Sequence, residues 1–256
     1  MAAETLTERD GPIGIIRLNR PETLNTLNLK TFDQIAAAAE RFDADGDVRC
    51  LLLAGGERAF CAGEDVTELA DASAVEVYHR DAARRWERLQ QLRKPLVAAV
   101  SGQAIGAGCA LLLACDIVIA AETARLALPE VGMGALPAGG ATQRLTHLAG
   151  KARAMDLLLT GRSITAREAL AMGLVSRVVP REQYYHEALN VCRDLATRPP
   201  LALQMAKAAI LHAEQAALRD GLALERSLRH LLFGTADQRE GMRAFLEQRP
   251  AVFVGR

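Results

Sequence analysis

Aromatic residues are scarce in this chain, at 4% of 256 positions with one tryptophan. Neither sign of charge is in surplus, because 31 Lys and Arg are offset by 31 Asp and Glu. A balanced chain has no global pull toward a phosphate backbone or an anionic bilayer. No Lys/Arg-rich run carries interleaved aromatics, which argues against an RNA-binding role, and nucleic acid is not expected as a partner. Long hydrophobic runs are missing too. The longest stretch of apolar residues and glycine is the twelve residues 104–115, short of the roughly 18–20 needed to span lipid, so no membrane association is expected. The start, M-A-A-E-T-L-T-E-R-D-G, puts acids where a signal peptide needs a basic region and an apolar core, and cytoplasmic residence is the expectation. The five cysteines, Cys50, Cys61, Cys109, Cys115 and Cys192, are odd in number, and none forms a C-x-x-C pair. They read as reduced core residues.

What is present is an ordinary globular composition, 50% apolar and 24% charged, enough for a sizeable core in one large domain or a domain with a small appendage. Strand-like runs at 13–18, 48–53, 96–100, 117–120 and 174–179 alternate with helical periodicity. The helical stretches run from Leu29 to the Asp43-Ala44-Asp45-Gly46-Asp47 loop and over about 73–92, 106–114, 141–159 and 165–172. The class is therefore α/β. Five irregularly spaced strands do not make a closed eight-fold barrel. Beyond Pro199-Pro200 only helical patterns remain, at 201–218, 222–233 and 238–248. Residues 1–196 are expected to form the α/β core and 197–256 a helical C-terminal module.

Several familiar chemistries are absent. Gly150-Lys151 lacks the upstream glycine and the following Ser or Thr of a phosphate-cradling loop. The segment 102–108 is glycine-rich before a helix but misses the G-x-G-x-x-G spacing of a dinucleotide site. The five histidines, His79, His147, His186, His212 and His230, are scattered as surface or helix-face residues, so no metal site is legible. No serine lies in a G-x-S-x-G elbow.

Two segments share another design, in which an apolar strand runs into small residues that open a helix. These are Ala62-Gly63-Glu64-Asp65 and Gly106-Ala107-Gly108. Small residues let a substrate approach the backbone, and free N–H groups at a helix start point outward. Two such ends can make an oxyanion hole for a thioester carbonyl, each donor contributing roughly 3–4 kcal/mol in the transition state. From the pattern alone, the same glycines serve equally to permit tight turns and close helix–sheet packing.

The motifs L-N-R-P-E-T-L-N-T-L-N at 18–28, A-F-C-A-G-E-D-V at 59–66, G-Q-A-I-G-A-G-C-A-L at 102–111, C-D-I-V-I-A at 115–120, P-E-V-G at 129–132 and G-G-A-T-Q-R-L at 139–145 occur in this order. With them the chain resembles the enoyl-CoA hydratase/isomerase (crotonase) family from about residue 10 to its C-terminal helices. The resemblance implies a spiral of β-β-α units and a C-terminal helical module that mediates trimerisation, commonly as a dimer of trimers. It places the two N–H donors of the oxyanion hole on Glu64 and Ala107. It also places backbone around Leu24, Asn25, Thr26, Ala62 and Asp65 along coenzyme A, which enters as part of the acyl-CoA substrate; no metal or redox cofactor is implied. The Asp65 and Asp116 side chains are expected to cap backbone groups or pair locally.

The departures are informative. Hydratases of the family hold water between two glutamates; only the second is present here, as Glu130, while Ala110 stands in the place of the first. Losing a positioned acid or base typically costs about 10²- to 10⁴-fold. One-carboxylate migration of a double bond, with Glu130 as shuttle base, is therefore favoured over hydration. Slow hydration, decarboxylation, thioester hydrolysis and a non-catalytic CoA-binding scaffold are the alternatives. The alternative role for Glu130 is to start a helix behind Pro129 at N1. Glu64 is unusual beside an oxyanion donor, and sequence does not give its direction, although an outward, solvated carboxylate is the expectation. Ala107 and Ala138 are expected to narrow the pocket slightly. Segment 67–92, with Tyr78, His79 and Trp86, is expected to be an amphipathic helix bordering the acyl group. Val254 replaces a lysine that reaches CoA phosphates in many relatives, for which Arg249 or Arg256 is a conceivable substitute.

Overall fold

Burial on alternate sides of each strand sets the architecture. The computed structural model describes residues 3–80 and 82–256; Met1, Ala2 and Asp81, the last inside the stretch expected to be one helix over 73–92, lie outside the described residues. In chain order the elements are β1 (Thr5–Asp10), β2 (Ile13–Leu18), α1 (Leu29–Ala44), β3 (Cys50–Ala54), β4 (Ala59–Cys61), α2 (Ala74–His79), α3 (Ala82–Gln90), β5 (Leu96–Val100), β6 (Gln103–Ile105), α4 (Ala107–Leu113), β7 (Ile117–Ala121) and β8 (Arg125–Ala127). There follow α5 (Ala141–Ala149), α6 (Lys151–Thr160), β9 (Ile164–Thr165), α7 (Ala166–Ala171), β10 (Arg177–Val179), α8 (Tyr184–Ala196), α9 (Pro200–Ala213), α10 (Leu218–Leu232) and α11 (Ala236–Leu246).

The larger sheet has the order β1-β2-β3-β5-β7-β10, antiparallel only at β1–β2. Side chains with a period of two divide between its faces. Leu51, Leu53, Leu96, Ala98, Val100, Val118 and Ala120 join the main core with α1 and α4. Cys50, Leu52, Ala54, Val97, Ala99, Ile119 and Ala121 pack under Tyr184, Ala188, Val191 and Cys192 of α8. Burial on both faces explains why these strands read as near-continuous apolar runs. The smaller sheet, β4-β6-β8-β9, is parallel across β4, β6 and β8. Each of β3, β5 and β7 thus hands the chain to a short strand of the second sheet before helical chain returns it. This is the crotonase-like α/β spiral of β-β-α units that the resemblance implies.

Some elements differ from expectation. The stretch over 73–92 is two helices, α2 and α3, on either side of Asp81, and Trp86 of α3 is buried against Phe32, ring centroids 4.7 Å apart. The stretch over 141–159 breaks at Gly150, whose φ of +80° ends α5 before α6 begins. The strand expected over 174–179 is confined to Arg177–Val179, with Leu174 and Val175 buried ahead of it. β1, almost wholly exposed, the short strands β4, β6, β8 and β9, and α8 lie outside the elements expected from the sequence.

After Val179 the described residues form no strand, and α9–α11 complete the chain. Lys207 of α9 ties this region to the core through Asp116, 2.7 Å away, and donates to the Lys94 carbonyl. Asp237 accepts from the amides of Val254 and Gly255, pinning the tail to the start of α11. Arg249 is engaged with Glu240 and Glu247, so its guanidinium is already paired. All five thiols are free and four are buried. No helix among the described residues is long and apolar enough to cross a membrane.

Candidate active site

The three parallel strands of the small sheet each deliver one part of the site just beyond their carboxyl ends, where open parallel sheets gather ligand-binding groups. Past β4 the chain reaches Glu64, past β6 it reaches Ala107, and past β8 it reaches Glu130.

Residues 24–27 hold the first part in place. Ala62 N–H donates to Leu24 C=O, Leu27 N–H to Gly63 C=O at 2.7 Å, and Asp65 N–H to Leu27 C=O. The ladder passes over the Glu64 amide, which has no partner among the described residues. Leu24 and Asn25 adopt φ of +55° and +59°, a region Asn tolerates better than most residues. The buried Asn25 amide fixes this bend, accepting from Arg20 N–H and donating to the carbonyls of Ala59 and Phe60. Arg20 straps the segment further through the Thr26 carbonyl and the Asp65 carboxylate. Asp65 also caps Thr67, and these bonds hold its carboxyl below the usual range. It serves as a cap, as expected, and its side chain is already engaged.

Gly106, with φ +55° and ψ −124°, turns the chain from β6 into α4. Its own N–H is taken by Ala127 C=O, whereas the Ala107 N–H, at the first position of α4, has no acceptor among the described residues. A Cβ built on Gly63 would stand 4.0 Å from Ala107 N, and one built on Gly106 would stand 3.7 Å from Gly63 Cα. The two unpartnered amides therefore flank one gap kept open by missing side chains.

The same gap receives Glu130. A Cβ on Gly106 would lie 2.9 Å from Glu130 Oε1. The other oxygen, Oε2, is buried without a hydrogen-bond partner. Glu130 opens the one-turn 3₁₀ segment Glu130–Met133 behind Pro129, which stands at the N-cap rather than at N1. Burial pushes the Glu130 carboxyl up from its ordinary range, its own amide offsets part of this, and the charge of Glu64 pushes it further.

Glu64 departs from the expectation of a solvated carboxylate. It is half-buried, and burial raises its carboxyl. Its charge is felt at Glu130 and at the buried Cys61 thiol, which burial itself pushes up to about 12. A solvated loop carboxylate would not be desolvated in this way. Ala110 is buried on α4, one turn beyond Ala107, and offers only a methyl group.

The chemistry of this arrangement is proton transfer beside an anion held by two amides. Neither the direction of Glu64 nor the bend at Leu24 and Asn25 has a signal in the sequence. The histidines do not enter the site: four are exposed and His212 is partly so. Among the described residues no three His, Cys, Asp or Glu side chains gather as a metal cradle.

Residues 8–256 match the enoyl-CoA hydratase/isomerase family. A protein of Rhizobium meliloti (strain 1021) named probable enoyl-CoA hydratase is 46% identical over the full length of both chains. The 2,3-dehydroadipyl-CoA hydratase of Escherichia coli (strain K12) is 41% identical, covering 99% of this chain and 100% of its own. A crystal structure from Bacillus anthracis, named enoyl-CoA hydratase, superposes with a TM-score of 0.95 at 35% identity, covering 99% of this chain and 100% of that one. With the fold and the disposition of Glu64, Ala107 and Glu130 in place, the chain belongs to the enoyl-CoA hydratase/isomerase family and is an enzyme of that type.

Proposed function

We propose that this enzyme acts on an unsaturated acyl-CoA thioester through an enolate whose oxygen is held by the Glu64 and Ala107 amides, with Glu130 carrying a proton to and from the substrate carbon chain. The observation that carries this reading is the convergence of the Glu130 carboxyl and two unpartnered amides on the gap between Gly63 and Gly106. Removing a proton from the α-carbon of a 3-enoyl thioester places negative charge on the carbonyl oxygen, where two preorganised donors stabilise it. Returning that proton to the γ-carbon moves the double bond to the 2 position. Isomerisation needs one base, and Glu130 supplies it as the carboxylate. Coenzyme A is part of the substrate, and the reaction as written asks for no metal or redox group.

The bend of residues 24–26 beside Ala62 is the backbone against which we place the CoA. Apolar Met242, Phe245 and Leu246 stand exposed on α11, in keeping with burial against a second copy in the homotrimer or dimer of trimers expected from the resemblance. Light scattering in solution reads that assembly directly.

Hydration is the second reading. The hydratase names of the Rhizobium and Escherichia relatives favour it, and it asks for a second group that handles the proton of water. The experiment for the shared core of both readings is to offer 3-enoyl-CoA and 2-enoyl-CoA to the wild type and to Glu130→Gln. The variant is expected to lose at least about 10²-fold on every substrate the wild type turns over. Equal rates for the two proteins would remove Glu130 from the chemistry.

A further inference from the structure

Ala110 leaves the first turn of α4 without an acid, yet another carboxyl, that of Glu64, belongs to the segment packed against the Ala107 amide. Gly63 lies against the Ala107 amide and against the Glu130 side, touching the position of a Gly106 Cβ from one side while Glu130 Oε1 touches it from the other. Glu64 is the next residue. Its side chain is half-buried, and burial is what acts on its carboxyl, with no hydrogen bond or ion pair to another side chain among the described residues. Ala110 lies one turn along α4 from Ala107 and is buried, and its methyl has no proton to exchange.

We propose that the Glu64 carboxyl is a second catalytic residue of this site, taking the proton of an attacking water and so standing in, from another element, for the acid missing at position 110. The inference rests on the reading of Glu130 and the two amides given above, and adds water addition to what they do.

The step balances without any further reactant. Glu64, as carboxylate, takes a proton from water as the oxygen bonds to C3 of a 2-enoyl thioester. The C2=C3 π electrons shift toward the carbonyl, and the enolate oxygen is held by the amides of Glu64 and Ala107. Glu130, as carboxylic acid, then delivers its proton to C2 and the thioester carbonyl reforms. Water has been added across the double bond, and the proton has passed from one carboxyl to the other. Return of that proton to Glu130 through solvent restores the pair.

Glu130 feels the charge of Glu64, and two carboxyls coupled in this way resist ionising together, so the pair favours holding one proton over an intermediate pH range. With the proton on Glu130, the site is set for hydration. With it on Glu64, Glu130 is the carboxylate that isomerisation uses. Burial raises both groups, and the charge of Glu64 raises Glu130 further, in line with Glu130 as the acid in the hydrating form.

The test measures hydration of 2-enoyl-CoA, by loss of the conjugated thioester absorbance, and isomerisation of 3-enoyl-CoA, side by side in wild type, Glu64→Gln, Glu64→Asp and Glu130→Gln. Wild type is expected to hydrate, and Glu64→Gln to lower the hydration-to-isomerisation ratio by about 10²-fold or more. Glu64→Asp, which keeps a carboxyl, is expected to fall between them. Binding of a saturated acyl-CoA, followed by calorimetry, is expected to persist in Glu64→Gln, showing that the folded pocket is retained. Absence of hydration in the wild type, or an unchanged ratio in Glu64→Gln, overturns the role of Glu64 while leaving Glu130 in place. Full activity of Glu130→Gln on both substrates overturns the underlying reading instead.

Discussion

Gly106 and Glu130 occupy complementary halves of one space, since a Cβ on the glycine would stand 2.9 Å from Glu130 Oε1. The glycine also holds φ +55° with ψ −124°, a conformation that costs an L side chain about 1–3 kcal/mol. Gly106→Ala is therefore expected to push the Glu130 carboxyl aside and disturb the neighbouring Ala107 amide. Turnover of enoyl-CoA substrates should fall about 10²-fold or more, with a smaller loss of stability in urea. Wild-type turnover in the alanine variant would show that the carboxyl does not depend on this glycine.

A stability cost follows from the same carboxyl. Burial raises the Glu130 pKa above its ordinary 4.5, so between that value and the raised one the folded state binds more protons than the unfolded chain. Stability therefore falls as pH rises through this window. Glu130→Gln carries no charge to desolvate, and its melting temperature is expected to exceed that of the wild type by roughly 1–4 °C at pH 8. The two should converge below pH 4.5. Calorimetric scans at the two pH values check this, and a variant that melts lower at pH 8 would contradict it. In the isomerisation assay the same shift places the acid limb of the wild-type profile above the ordinary carboxylate range, because Glu130 must be ionised to act as base.

The Asn25 amide holds the bend that faces Ala62, through Arg20 N–H on one side and the Ala59 and Phe60 carbonyls on the other. Asn25→Ala leaves buried backbone groups unpaired and places a Cβ-bearing residue without a compensating amide at φ +59°. A loss of about 2–4 kcal/mol in urea-induced unfolding is expected. We also expect weaker acyl-CoA binding, read as a raised KM. Unaltered stability and KM would mean that the Arg20 strap alone maintains the bend.

Lys207 and Asp116 couple α9 to the strand entry at Leu96, whose N–H also donates to Asp116. Lys207→Ala strands a partly buried carboxylate, and a loss of about 2–4 kcal/mol is expected. Replacing both members, Lys207→Met with Asp116→Asn, should recover part of that loss. A double variant less stable than Lys207→Ala would contradict the argument from stranded charge.

Legibility in the sequence followed burial. β3, β5 and β7 are apolar on both faces, so Cys50–Ala54, Leu96–Val100 and Ile117–Ala121 announce themselves as strands. The three-residue strands β4, β6 and β8 contain too few residues to show a period of two, although they carry the site. β1 was hidden by its exposure, one buried residue in six. α8 does carry a pattern, since Tyr184, Ala188, Val191 and Cys192 fall on one helical face, but its polar remainder obscured it. At the site, the ordered motifs single out Glu130 and the two amides, which the fold brings to one gap. The direction of Glu64 is not legible in them, because it depends on how residues 24–27 and 62–65 lie against each other, a pairing between segments 38 positions apart in the chain.

Everything proposed for the chemistry requires a thioester oxygen between the amides of Glu64 and Ala107. A crystal structure with a saturated, unreactive acyl-CoA tests this directly. The expected result is the carbonyl oxygen within about 2.7–3.1 Å of both backbone nitrogens, with the α-carbon facing Glu130. An oxygen turned away from either amide, with the acyl group ordered, would contradict it.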